Sequence, residues 1–130
     1  MRRSDQRRDA VFASYQREVT GRPLDELLAG AKPFTVELAE GVEQHHAELD
    51  ELLARHLENW DLDRVAPLER AIMRVALLEM RHPEAVDADV PIPPEGAIDE
   101  AVETSKAFCG ADAPGFVNGI LGAVLRERQA

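Results

Sequence analysis

"FCGADAPGFVNGILGAVL", residues 108–125, sets two fold classes against each other. Asn118-Gly119 is a dipeptide that usually turns a β-hairpin. Yet Phe116, Val117, Ile120, Leu121, Val124 and Leu125 recur at helical spacing straight through it. A helix here carries Gly119 and Gly122 in its body, each costing roughly 1 kcal/mol relative to alanine. On a helical wheel the apolar residues share one half, while Gly115, Asn118, Gly119, Gly122 and Arg126 gather on the other. The glycines therefore strip side chains from a face outside the main core contact. Either a second helix packs there backbone to backbone, or a ligand needs the bare surface. Packing is the favoured expectation.

The rest of the chain reads as helix too. Alanine, leucine and glutamate are plentiful, and valine and isoleucine never alternate with polar residues over a strand's length. A first helix is predicted over residues 5–19, with Val11, Phe12, Tyr15 and Val19 on one side, ended by Thr20-Gly21-Arg22-Pro23. "LDELLAG" is a short second helix closed by Gly30. A long third helix follows Pro33, its stripe running through Phe34, Leu38, Val42, Leu49, Leu52, Leu53 and Leu57 until "NWDLDRVAP" breaks it. Pro67 opens a fourth helix, "LERAIMRVALLEMRH", apolar around most of its circumference and so the expected central one. Residues 83–96, with four prolines, read as a loop or rigid crossover. A fifth helix is expected over residues 97–108. Asp112 as N-cap and Pro114 in the first turn then start the last one.

The 130 residues predict one domain with a real core. The single Cys109 excludes an intrachain disulfide scaffold and suits a reducing cytoplasm. No apolar run is long enough for a membrane span, and "MRRSDQRR" has no hydrophobic segment after it to make a signal peptide. The net charge of −10 argues against nucleic acid until its distribution is considered. Residues 1–22 carry +3, residues 23–64 carry −8, residues 65–104 carry −6 and residues 105–130 carry +1. If the ends meet, one surface can take a polyanion while the acidic middle takes a basic protein. Phe108, Gly110, Asp112 and the free N–H groups of the last helix form a turn suited to phosphate and to a stacked base. Ordinary core for Phe108 and ordinary capping for Asp112 are the plain alternatives.

"LERAIMRVALLEM" (68–80), "AIDEAVETSKAFCGADAPGFVNGILGAVL" (97–125), "RRSDQRRDAVFASYQ" (2–16) and the central "HLENWDLDRVAPLERAIMRVALLEM" together resemble the bacterial transcription antitermination factor NusB family. The resemblance covers nearly the whole chain and is loosest over residues 20–55. It implies an all-α, NusB-like helical bundle of two small sub-bundles packed as one domain, residues 1–60 and 61–130. It implies binding of boxA RNA jointly with the ribosomal protein NusE, supporting processive transcription of ribosomal RNA operons with other Nus factors and RNA polymerase. Arg2, Arg3, Arg7 and Arg8 match the basic RNA-meeting N-terminus, Lys106, Phe108 and Asp112 the second part of that surface, and Glu69 an acidic position facing NusE. Gly115 departs from a position often basic in the family. In "PIPPEGAIDEAV" a glycine stands where an apolar residue is usual.

Other readings are weaker. No nucleophile–base pair or phosphate loop appears, so binding is expected and not catalysis, with no cofactor. Glu43-x-x-His46 and Glu79-x-x-His82 have the spacing of di-iron helical bundles. However, Glu43 and His46 sit off the apolar stripe, His82 lies at a helix end beside Pro83, and His45 and His56 read as core-edge residues, so no metal ligands are assigned. A protein-binding helical module without RNA contact is one alternative. The RNA-binding part of a ribosomal RNA methyltransferase is another, for which this chain leaves no room for a catalytic domain. A homodimer stays open.

Overall fold

The last helix is continuous through Asn118-Gly119, from Ala113 to Gln129, and the hairpin reading is excluded. The computed structural model describes residues 1–58, 61–87 and 91–129. Asn59, Trp60 and residues 88–90, part of the expected break and crossover, lie outside the described residues. Among the described residues the chain forms seven α-helices and no strand: α1 (Arg3–Thr20), α2 (Leu24–Leu27), α3 (Pro33–Gln44), α4 (His46–Arg55), α5 (Pro67–Arg81), α6 (Pro94–Phe108) and α7 (Ala113–Gln129). Short 3-10 turns cover Leu62–Arg64 and Pro83–Ala85.

Helix α5 is the axis. It packs against α1, α3, α4, α6 and α7, and every residue from Arg70 to Met80 is buried. Ile72, Met73, Leu77 and Leu78 are within 2% of full burial, inside one apolar cluster that draws on helices from both halves of the chain. Pro67 occupies the first turn, where its missing N–H leaves no intrahelical bond unmade. Helix α1 ends where Gly21 turns left-handed at φ 74°, its N–H donating to the Arg17 carbonyl at 3.0 Å.

Two expected boundaries move. The long third helix is two helices, α3 and α4, broken at His45 with φ −103° and ψ 17°. No Gly or Pro marks the break. Val42 and Leu49 stand seven residues apart across it and are both buried, so the apolar stripe reads as continuous. Helix α6 starts three residues earlier than expected, because Pro94 takes the first position and Pro93 the cap. Gly96 fits that entry: a Cβ there would stand 2.9 Å from the Ile92 side chain folded over it. Gly41 serves a similar close approach, since its Cβ would meet Leu78 at 2.6 Å.

The favoured explanation of the α7 glycines fails. A Cβ added at Gly115 or Gly119 would meet nothing within 4 Å, and one at Gly122 only the Arg126 guanidinium at 3.3 Å. No helix packs on that face among the described residues; it is open.

Candidate nucleic-acid interface

The start of α1 and the end of α6 come together. Phe12 meets Phe108 edge to face, with ring centroids 5.0 Å apart and an interplanar angle of 86°. The Arg8 guanidinium lies 5.6 Å from the Phe108 centroid. Arg8 and Phe12 are four residues apart on α1 and so share a face. Phe108 is 46% exposed, an unusual state for a large aromatic. Phe12 and Arg8 pack against it, and close to half of its surface is offered to solvent. The sequence reading set Phe12 on one side of the first helix with Val11, Tyr15 and Val19; the i, i+4 spacing of Arg8 and Phe12 was the signal that pairs it with the basic end.

Around this aromatic pair the cations differ sharply. Arg2 is exposed and reaches Asp5 only at 3.5 Å. Arg3 is exposed, with its guanidinium 4.0 Å from the Phe34 centroid. Lys106 is exposed, 3.4 Å from Glu103 on its own helix. Such pairs are weak and leave the charge available.

Arg7 is different. Its Nε and Nη2 donate to the two carboxylate oxygens of Glu79 on α5 at 2.7 and 3.0 Å, and Nη1 lies 3.7 Å from Glu100 on α6. The Arg7 side chain is 12% exposed and that of Glu79 is 5%. The structure therefore separates Arg7 from the other three arginines with which it was grouped: its fork binds α1 to α5.

Asp112 is exposed in the turn before α7, and its backbone carbonyl accepts the Phe116 N–H at 3.2 Å. Glu69, in the first turn of α5, lines a groove with Arg64, Val65, Ala66, Asp112, Ala113 and Phe116. Partial burial raises the Glu69 carboxyl above the usual carboxylate range. The same burial, then the Glu69 charge, pushes the Cys109 thiol up. The groove thus sets an acidic group on an apolar floor beside the turn that carries Asp112.

A charged network unforeseen from the sequence lies beneath the surface. Arg74, 3% exposed, donates from Nε and Nη2 to Asp50 at 2.7 and 3.1 Å and from Nη1 to Glu18 at 2.8 Å. Burial works against the Arg74 charge, but the hydrogen bonds to Asp50 and Glu18 outweigh it and hold the guanidinium protonated. Arg70 donates to the Leu62 carbonyl at 3.0 Å and pairs with Glu18 at 2.8 Å. One charged residue per turn within an otherwise greasy helix was the available signal.

The two E-x-x-H pairs do not converge. Glu43 faces Arg17 at 3.4 Å, His46 faces Asp50 at 3.3 Å, and Glu79 is taken by Arg7. No helix among the described residues is long and apolar enough to cross a membrane.

A central buried helix packed against five others, with a cation–aromatic rim and an acidic groove beside it, defines an all-helical architecture of the NusB type. The NusB family model matches residues 4–126, and the chain belongs to that family. The fold is similar to T. maritima NusB at 28% identity and a TM-score of 0.85, covering 98% of this chain and 92% of that one. It is also similar to a chain in a crystal structure of the antitermination factors NusB and NusE in complex with dsRNA, at 22% identity and a TM-score of 0.80, covering 98% and 99%. A third similar structure is the solution structure of NusB from Aquifex aeolicus, at 24% identity and a TM-score of 0.76, covering 97% and 89%.

Proposed function

We propose that this protein is a transcription antitermination factor that binds boxA RNA jointly with the ribosomal protein NusE and supports processive transcription of ribosomal RNA operons. The observation that carries the reading is the half-exposed Phe108, backed by Phe12 and Arg8, with exposed Arg2 and Arg3 at the start of the helix that carries Phe12 and exposed Lys106 two residues before Phe108. Single-stranded RNA presents unstacked bases and a regular row of phosphates. Phe108 offers a π-face to a base, the cations hold the backbone, and Asp112 accepts from a base edge or a 2′-hydroxyl. Arg7 acts through the fold, fixing α1 on α5 so that Arg3 and Arg8 are held in place.

Glu69 and its groove face NusE, a basic partner. Ion pairing across the groove removes the Glu69 carboxylate from water in the company of a cation, which favours its charged form. The partner also offsets the long-range repulsion between RNA and a chain of net charge −10. RNA and NusE binding are therefore coupled, each raising the affinity of the other. Other Nus factors and RNA polymerase are reached through that complex, and no step requires catalysis or a cofactor.

The test is fluorescence anisotropy of a labelled boxA RNA, with and without NusE, across a salt series. Four phosphate contacts, from Arg2, Arg3, Arg8 and Lys106, give a slope of log affinity against log salt of about −2.8, at about −0.7 per contact on a single strand. Phe108→Ala is expected to lose about 1–3 kcal/mol of binding, the range for one base stacked on an aromatic. A flat salt response, or equal affinity for a scrambled RNA in the presence of NusE, would overturn the reading.

A further inference from the structure

At the C-terminal end of α5, three donors from three places in the chain meet. His45 sits at the α3–α4 break, Glu48 in the first turn of α4 and His82 at the end of α5. Their ligating atoms all lie within 4.8 Å of one another. The His45 and His82 rings are stacked, with centroids 3.9 Å apart and planes 13° from parallel. Glu48 Oε2 stands 2.6 Å from His82 Nε2 and 3.7 Å from His45 Nδ1. From these contacts we propose that His45, Glu48 and His82 form a binding site for a divalent first-row transition cation of the zinc class, clipping the α3–α4 junction to the end of α5.

The donor chemistry selects the ion. Two imidazoles and one carboxylate match sites that take Zn2+ with water in the remaining position, whereas Mg2+ and Ca2+ prefer oxygen donors alone. With metal–ligand bonds of about 2.0–2.2 Å, donors around a tetrahedral ion stand roughly 3.3 Å apart. The observed separations of 2.6 and 3.7 Å bracket that value. Binding needs His82 Nε2 and Glu48 to part, and the stacked rings to splay toward a common point. Both histidines sit at helix ends with part of each ring in solvent and Glu48 is half exposed, so the motion is local to three side chains.

A neighbouring contact aims the His82 ring. Glu84 Oε1 stands 3.1 Å from His82 Nδ1 and Glu48 Oε2 2.6 Å from Nε2; a metal ion would displace the Nε2 proton and leave Nδ1 as the donor to Glu84. A carboxylate behind a ligating histidine fixes its tautomer and raises its basicity in metal sites. The sequence reading weighed His82 with Glu79 three residues before it. The break at His45 substitutes His45 and Glu48 as its neighbours, and neither E-x-x-H pair contributes both of its members.

The experiment uses the full-length, tag-free protein after chelator treatment. Isothermal titration with ZnCl2 and the visible absorption of added Co2+ read occupancy, and thermal unfolding with and without Zn2+ reads the clip. One equivalent is expected to bind, with a higher Tm because the ion binds only the folded chain. His45→Gln, His82→Gln and Glu48→Gln should each weaken binding at least tenfold, and Glu84→Gln roughly tenfold, the lower end for an orienting carboxylate. His56→Gln should leave it unchanged. Glu48 is half exposed, so its variant keeps the test open should a histidine variant fail to fold. Absence of heat and of Co2+ absorption, or binding that survives His45→Gln and Glu48→Gln alike, would overturn the proposal.

Discussion

Replacing Arg7 by alanine separates a folding role from an RNA-contacting one. The Arg7 fork covers both oxygens of Glu79, whose side chain is 5% exposed, and also lies 3.7 Å from Glu100. Removing it leaves the Glu79 carboxylate buried without its cation and with Glu100 as a like-charged neighbour. Breaking a buried pair from one side costs about 3–5 kcal/mol. For a chain of 130 residues, with an unfolding entropy of about 2.1 cal/mol/K per residue, each kcal/mol moves Tm by about 3.7 °C. Arg7→Ala should therefore lower Tm by about 11–18 °C. Arg3→Ala and Arg8→Ala, whose partners are the ring faces of Phe34 and Phe108, should cost no more than about 2 kcal/mol. Circular dichroism melts at fixed salt measure all three. The paired variant Arg7→Met with Glu79→Met removes both charges and should return Tm to near the wild-type value. That folded double variant should bind boxA RNA within about twofold of wild type, a difference of about 0.4 kcal/mol. An Arg7→Ala protein that melts within about 3 °C of wild type but loses RNA would refute the reasoning and return Arg7 to the RNA surface.

Gly119→Ala meets open space in mid-helix and should stabilise by about 0.5–1 kcal/mol, seen as a higher denaturation midpoint; a loss of RNA or NusE affinity in that more stable protein would show that the bare face is used in binding. Gly41→Ala places its Cβ 2.6 Å from Leu78 and should cost about 1–3 kcal/mol by overpacking, so an unchanged urea midpoint would show that Leu78 gives way freely. Arg74→Lys keeps the charge but cannot hold Asp50 through two bonds while reaching Glu18; a loss of about 1–3 kcal/mol is expected in chemical denaturation. The Cys109 thiol, pushed up by burial and then by Glu69, should alkylate more slowly than a free cysteine between about pH 7 and 9. Glu69→Gln should speed that reaction, because less negative charge near the sulfur favours the thiolate, and an unchanged rate would remove Glu69 as a cause.

Much of the fold was legible because burial imposes a period. The stripes through α5 and α7 named helices despite Asn118-Gly119, since six apolar residues in register outweigh one turn dipeptide. Helix starts at Pro67 and Pro33 were readable because proline fits the first turn and little else in a helix. The break at His45 was not readable. It leaves the apolar register intact, and the stacking of His45 on His82 depends on a residue thirty-seven positions away. The start of α6 at Pro94 was missed because proline-rich sequence signals loop and helix entry alike.

At the candidate interface, the sequence by itself determined which residue types are present: a basic opening, an acidic middle and a Phe108 turn between two helices. Only the tertiary structure decided how each charge is used. Arg7 and Arg8 are chain neighbours, yet one is turned onto Glu79 and the other onto Phe108, because adjacent residues on a helix point about 100° apart. Arg70, Arg74 and Glu79 are three charges on a greasy helix; burial made them pairs, since a charge held away from water requires a partner. Periodicity fixes a side chain's direction around its own helix. What that side chain meets depends on the packing of the helices around it.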